Sequence, residues 1–88
     1  MTNSTHWSNA LQIALSNGWD DQEISERLHE LVEILDNLSV LYTSDLFESY
    51  LTGTNAHLGG ARPVDCARIG DFELVLETIE AQREGAFA

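Results

Sequence analysis

A seven-residue repeat of apolar side chains between positions 24 and 42 is the feature that most constrains the fold of this chain. The intervals between the apolar positions are 4, 3, 4, 3 and 4 residues, and the positions are Ile24, Leu28, Leu31, Leu35, Leu38 and Tyr42. Such spacing places the side chains along one side of an α-helix, as in a coiled coil. A helix of about 22 residues would be about 33 Å long, at 1.5 Å per residue.

This heptad seam has two interpretations. It is short for an isolated coiled coil, so the helix can be the central member of a small bundle whose core the seam closes. The seam can also join two copies of the chain in a homodimer, and the two arrangements can coexist. Val32, Ile34 and Leu41 add apolar surface beside the seam.

Helix signals continue along the rest of the chain, and we expect an all-α fold, a small bundle of about five helices with a long central helix and short C-terminal helices. Valine, isoleucine and threonine, which favour strands, are scattered along the chain. Gly18 suits the end of the first helix, Pro63 the start of the fourth and Gly85 the end of the fifth. The predicted helices span about 6–17, 21–42, 45–51, 63–69 and 72–84.

The apolar residues of the first predicted helix fall on one face, as they do in an amphipathic helix. They are Trp7, Ala10, Leu11, Ala14 and Leu15.

The charge balance excludes several classes of partner. The 88 residues correspond to a single domain, and they include 15 Asp and Glu against four Lys and Arg, for a net charge of −11. Direct binding to DNA, RNA or an anionic bilayer needs clustered positive charge, so we expect neither a nucleic acid nor a membrane as partner. The balance favours a basic protein partner or a solvated surface. Without an apolar run of membrane-spanning length or the features of a signal peptide, the expected location is the cytoplasm.

The acidic residues form two rows on predicted helices. The first row is Glu23, Glu26, Glu30 and Glu33, and the second is Glu73, Glu77, Glu80 and Glu84. Like charges at i,i+4 repel each other, and we expect Arg27 to relieve the first row by pairing with Glu23. Each row is either a solvated face or a surface that meets a basic protein, where it would speed encounter at low salt.

Little in the chain indicates catalysis, a metal site or a cofactor. No two of the histidines lie within four residues of each other or of Cys66, the single cysteine, so no local metal spacing exists. His57 could act as a base only if the fold brings it together with Asp65 and Cys66. The Gly59–Gly60 pair lacks the preceding strand and the following Lys-Ser or Lys-Thr of a phosphate loop. We therefore expect a protein that is not an enzyme and holds no cofactor.

The second half of the chain resembles a known family. Its landmarks are, in order, Tyr50-Leu51, Asn55, Leu58-Gly59-Gly60, Pro63, Asp65, Gly70, Val75-Leu76, Ile79 and Gly85-Ala86-Phe87-Ala88. This order resembles the toxin-binding domain of Xre/MbcA/ParS-type antitoxins, over residues 27–88. The sequence departs from the family at Tyr50, where Trp is usual, at Thr54, where Pro is usual, and at Cys66-Ala67, where a bulkier apolar pair is usual.

The resemblance implies a partner and a mode of action. Antitoxins of this family bind toxins of the RES-domain type, which degrade NAD, and their C-terminal region covers or enters the NAD pocket. Family members commonly carry an N-terminal helix-turn-helix, but residues 1–26 hold one helix and the start of another. A DNA-reading module needs more helices and more positive charge, so DNA binding is not expected here. We therefore expect one helical domain, with residues 1–26 as an N-terminal extension and residues 27–88 as the toxin-binding part.

The resemblance also implies which residues meet the toxin. Phe87 and Ala88, with Ala86 beside them, would enter the NAD pocket as a free tail, which Gly85 would release from the fifth helix. The remaining contact surface would comprise Tyr50, Asn55, Leu58, Gly59, Gly60 and Arg62. The alternative is a non-enzymatic interaction or dimerisation module without a RES-type toxin, such as an acidic decoy for a basic protein.

Overall fold

Five α-helices make up most of the computed structural model, which describes the backbone of residues 4–87 and the side chains of residues 6–85. The helices are α1 (Ser4–Ser16), α2 (Asp21–Leu38), α3 (Phe47–Thr52), α4 (Pro63–Arg68) and α5 (Phe72–Phe87). Two 3₁₀ turns, Ser44–Leu46 and Ala56–Leu58, lie before and after α3. No strand occurs within residues 4–87, which confirms the all-α prediction.

The start of α2 is fixed by local hydrogen bonds that the sequence signals. The Asp20 side chain accepts a hydrogen bond from the Glu23 backbone N–H at 2.8 Å, and the Asp20 N–H donates to the Glu23 carboxylate at 2.9 Å. This reciprocal pair is a capping box. Asp21 and Glu23 also place negative charge at the positive end of the helix dipole.

The end of α2 comes earlier than predicted. The helix has 18 residues and stops at Leu38, so Tyr42 lies beyond it. The Ser39 hydroxyl donates to the Asp36 carbonyl at 2.6 Å. In a continuing helix this carbonyl would accept from the Val40 N–H, which here bonds to the Asn37 carbonyl instead. The chain then turns, and the Tyr42 N–H bonds to the Leu38 carbonyl at 2.9 Å.

The heptad seam closes the core of this chain. Leu31, Leu35 and Leu38 are fully buried, while Ile24, Leu28 and Tyr42 are partly buried against the core. Helices α1, α4 and α5 all pack on α2. The three central leucines are therefore used inside the bundle and offer no surface to a second copy.

The predicted apolar face of α1 is divided in two by the structure. Ala10 and Ala14 are fully buried, but Trp7, Leu11 and Leu15 are 37%, 40% and 58% exposed. The face that packs on the bundle is formed by His6, Ala10, Ile13 and Ala14. The two small alanines allow α1 to pack closely on the bundle, while the three larger side chains lie at the edge of the packed face and stay partly exposed.

Two contacts fix the orientation of α1. His6 Nδ1 lies 2.5 Å from Asp36 Oδ1 of α2, and the His6 ring packs edge-on to Phe47 at 5.7 Å between centroids. At the other end, Gly18 adopts a φ of +80°, and the N–H groups of Gly18 and Trp19 bond back to the Leu15 and Ala14 carbonyls. This Schellman motif confirms Gly18 as the residue that ends the helix.

The last two helices agree with the sequence at their starts and differ at the end. Pro63 opens α4, as predicted, because its missing N–H would have no helical partner there. Helix α5 continues through Gly85 to Phe87, so the prediction that Gly85 ends the helix and releases a free tail was wrong. Gly85 is not among the glycines with positive φ, and a helix already 13 residues long at that point propagates through one glycine at a cost of about 1 kcal/mol.

Candidate functional site

Residues 55–61 form a closed loop, here called the glycine loop. The Asn55 N–H donates to the Ala61 carbonyl at 3.0 Å, and the Gly60 N–H donates to the Asn55 carbonyl at 2.9 Å. The Asn55 side chain also accepts a hydrogen bond from the His57 N–H at 2.9 Å. Leu58 is only 9% exposed and anchors the loop in the core. The loop therefore has one defined shape.

The two loop glycines are required by backbone geometry. Gly59 and Gly60 have φ values of +66° and +89°, in the region that favours glycine. A Cβ at either position would meet nothing within 4 Å, so conformation and not space demands glycine here. Both residues are exposed, which leaves a backbone surface without side chains for a partner to approach.

An open groove of about 440 Å³ lies between the glycine loop and α5. One side is formed by Thr54, Asn55, Ala56 and His57, and the other by Thr78, Ala81 and Gln82. The Thr78 hydroxyl donates a hydrogen bond to the Leu74 carbonyl at 2.9 Å. The three α5 residues were not predicted as site residues, although their spacing of three and four marks one helix face.

This face of α5 continues to its C-terminal end. Thr78, Ala81, Gln82 and Gly85 follow the i, i+3, i+4, i+7 spacing that puts residues on one side of a helix. The structure thus brings Asn55 and Gly85, two residues predicted separately to meet a partner, onto one side of the molecule. All of this face except Thr78 is exposed.

Tyr50 sits beside the groove in a small aromatic cluster. Its ring lies 5.8 Å from that of Tyr42, and the Gln82 amide donates to the Tyr42 hydroxyl at 3.0 Å. The Tyr50 hydroxyl is buried without a hydrogen-bond partner among the described residues. Burial raises the pKa of Tyr50, the nearby Tyr42 raises it further, and the Asn55 side chain opposes the rise. Tyr50 is half-buried and contributes only part of its surface to any contact.

Arg62 is held by its own helix. Its guanidinium bonds to both oxygens of Asp65, at 2.8 and 2.9 Å. This pairing holds the pKa of the Asp65 carboxyl below its usual range. A partner carboxylate that bound Arg62 would have to compete with Asp65.

An arginine distant in sequence reduces the charge repulsion within the acidic row on α2. Glu23 pairs with Arg68 of α4 at 2.8 Å, so the predicted pair with Arg27 was wrong. The Arg68 hydrogen bond, helped by the Asp20 backbone, holds the pKa of Glu23 below its usual range. The Arg27 guanidinium instead lies against Gly70, where a Cβ would come within 2.5 Å of Nη1. On α5, Arg83 pairs with Glu80 at 3.0 Å.

Two of the three residues considered for catalysis, Cys66 and Asp65, lie in environments that do not activate them. Cys66 is buried, and burial raises the pKa of its thiol, with further increases from Asp71 and Asp65. A nucleophilic cysteine needs the opposite shift. Asp65 is paired with Arg62, and His57 is exposed on the groove. Among the described residues, no three His, Cys, Asp or Glu side chains lie together as metal ligands.

The extreme C-terminus is only partly described. The backbone of Ala86 and Phe87 belongs to α5, whereas the side chains of both residues and all of Ala88 lie outside the described residues. The predicted role of these three residues in a toxin's pocket therefore stays a prediction.

Comparison with known proteins identifies no family for this chain. No family model matches it, and no curated protein or solved structure gives a match. Within the part of the chain that the structure describes, no helix has both the length and the apolar character needed to cross a membrane.

Proposed function

We propose that this chain is an antitoxin-like protein that binds a RES-type NAD-degrading toxin and blocks its NAD pocket, with no catalysis or cofactor of its own. The sequence resemblance supplies the partner. The observation that supports the proposal is the shared face of the glycine loop and α5, because it places Asn55 and Gly85, two of the residues that the resemblance assigns to the toxin contact, on one side of the molecule. The proposed location is the cytoplasm, where a toxin of this type would meet NAD.

The blocking element in this proposal is a helix end and not a loose tail. Helix α5 carries Glu84 and no basic residue in its last turn, so its C-terminal end is negative through both the side chain and the helix dipole. A pocket that binds the pyrophosphate of NAD offers N–H donors or positive charge. The end of α5 would meet those groups electrostatically, while Phe87, with Ala86 and Ala88, would fill the space of the nucleotide.

Deletion of residues 85–88 separates blocking from binding. With a RES-domain toxin, we expect the truncated protein to retain binding in titration calorimetry through the groove surface and to lose most inhibition of NAD consumption. The control Ile69→Ala, at a residue 69% exposed and outside the groove, should leave both unchanged. Full inhibition by the truncated protein would refute blocking by the helix end. No binding of the full chain to toxins of this type would refute the proposed function.

A second candidate function is the capture of a basic protein by the acidic surface. It is favoured by the exposure of Glu73, Glu77, Glu80 and Glu84 along α5, where only Glu80 has a described arginine partner. Such binding would weaken steeply as salt rises, whereas insertion of a helix end into a pocket would depend less on ionic strength. Titration of a basic protein at low and high salt distinguishes the two.

A further inference from the structure

Helix α1 presents an apolar stripe to solvent. Trp7, Leu11 and Leu15 are 37%, 40% and 58% exposed, and they follow one another at intervals of four residues. The stripe extends about 12 Å along the helix, at 1.5 Å per residue. It lies beside the buried face of α1, which is formed by His6, Ala10, Ile13 and Ala14, and α1 packs on α2. The fold of a single chain covers these side chains only in part and leaves 37–58% of each residue's surface open to solvent.

Helix α1 itself carries no Asp, Glu, Lys or Arg, although the molecule as a whole is strongly acidic. No Asp, Glu, Lys or Arg precedes Asp20, so all 15 acidic residues lie in the chain from that position onward. With a net charge of −11, two copies repel each other in most orientations. Pairing through α1 brings together two helices that themselves carry no acidic side chain, while Asp36, Asp45 and Glu48 of neighbouring segments lie beside other faces of α1.

A two-fold axis that passes between the α1 helices of two copies would pack the stripe of one copy against the stripe of the other. If two α1 helices pair antiparallel, the central Leu11 faces Leu11 of the second copy, and Trp7 faces the other copy's Leu15. The large ring of Trp7 is thereby set against the most exposed leucine, and the two helix dipoles oppose each other. The heptad seam cannot serve this role, because its central leucines are fully buried within each chain.

We propose that the chain forms a homodimer through antiparallel pairing of the α1 stripe. This goes beyond the proposed function, because α1 packs on α2, while the groove lies between the glycine loop and α5. A dimer of this kind presents two copies of the groove.

The area of the stripe sets the expected strength. The exposed parts of the three side chains amount to roughly 300 Å² per copy, so a pair buries about 600 Å² through the stripe itself. Stable specific interfaces bury about 1,200–2,000 Å², which places this dimer in the weak class. We expect a dissociation constant on the order of 100 μM, and tighter association as salt screens the repulsion between the copies.

Sedimentation equilibrium between about 10 μM and 1 mM, at low salt and at 0.5 M NaCl, tests the proposal. The wild-type chain should shift from monomer toward dimer with concentration, and more so at high salt. Leu11→Glu should weaken association at least tenfold, because it puts two carboxylates on the axis. The matched control Ser16→Glu adds the same charge at an exposed α1 position off the stripe and should change the dissociation constant less than threefold. Thermal melts confirm that both variants fold.

A cross-linking experiment gives an independent readout. In a Cys66→Ser background, Leu11→Cys should form an intermolecular disulfide on mild oxidation, since facing residues at the axis of an antiparallel helix pair come within disulfide reach. Ser16→Cys should not. A wild-type chain that stays monomeric at 1 mM in 0.5 M NaCl, or equal association by Leu11→Glu and wild type, overturns the proposal. The first outcome would leave the stripe to a different protein.

Discussion

Replacing Gly85 by alanine tests whether α5 continues to Phe87. In the structure, Gly85 lies inside the helix, outside the positive-φ region, and a Cβ there would meet nothing within 4 Å. Alanine in an exposed helix interior is favoured over glycine by about 0.5–1 kcal/mol. Because Gly85 is near the helix end, where the last turn frays, we expect Gly85→Ala to stabilise the protein by about 0.5 kcal/mol.

The sign of the effect decides between the structure and the sequence pattern. If Gly85 instead ended the helix in a left-handed conformation, alanine would cost roughly 1 kcal/mol. Urea unfolding followed by tryptophan fluorescence, to which the buried Trp19 contributes, gives the free energy of unfolding, and Cα chemical shifts of residues 82–86 report the local helix. A loss of stability in Gly85→Ala would refute the continuous helix.

Gly59→Ala is the matched control for this substitution. A Cβ added at Gly59 would also meet nothing within 4 Å, so the two positions offer equal space, but Gly59 has a φ of +66°. Alanine should destabilise the protein there by about 1–2 kcal/mol through backbone strain alone. If both substitutions shifted stability in the same direction, the conformational argument would fail.

Three further predictions concern the core and its ion pairs. Leu35→Ala should lower the free energy of unfolding by about 2–5 kcal/mol, because Leu35 is fully buried in the seam. Urea unfolding measures this loss, and a change below about 1 kcal/mol would contradict the packing. The Arg68 hydrogen bond lowers the pKa of folded Glu23 from its ordinary 4.5, so this group stabilises the fold above that pH and the contribution is lost as pH falls through the folded pKa. Wild type should therefore lose its advantage over Glu23→Gln in melts as the pH falls below 4.5 and folded Glu23 becomes protonated, and a difference that stays constant with pH would contradict the pair. Gly70→Ala should lower the free energy of unfolding by about 1–2 kcal/mol, mostly because of the φ of +97° and to a smaller extent because the new Cβ displaces the Arg27 guanidinium. Adding Arg27→Ala to the Gly70→Ala variant should restore only that smaller part of the stability, as urea unfolding of the double variant would show.

Local signals in the sequence predicted the element boundaries well where the determining atoms are close along the chain. The Asp20 capping box, the turn at Gly18 and the start of α4 at Pro63 each depend on groups within about five residues. The glycine loop belongs to the same class, because Gly59 and Gly60 supply the positive φ values of a tight turn. The predicted helix ends were wrong at Leu38, where α2 stops early, and at Gly85, where α5 continues. At both positions the local tendency to end the helix and the tendency of the helix to propagate are of similar strength.

The candidate site could be predicted only in part. Asn55, Gly59 and Gly60 were identified from the sequence resemblance, and the structure places them in one exposed loop. The opposite wall of the groove, with Thr78 and Gln82, carries no sequence motif. Its position follows from how α5 packs against the loop, through contacts between residues more than 20 positions apart.

The amino-acid sequence determined the helical class, the starts of α2, α4 and α5 and the need for glycine in the glycine loop, because these follow from side-chain spacing, from hydrogen bonds within a few residues and from local backbone preference. Only the tertiary structure decided which side of α1 is buried and which arginine binds Glu23. The partners in those contacts, His6 with Asp36 and Glu23 with Arg68, are 30 and 45 residues apart. The rotation of α1 that exposes Trp7, Leu11 and Leu15 is set by such long-range packing, and helical periodicity alone cannot distinguish neighbouring faces of similar apolar character.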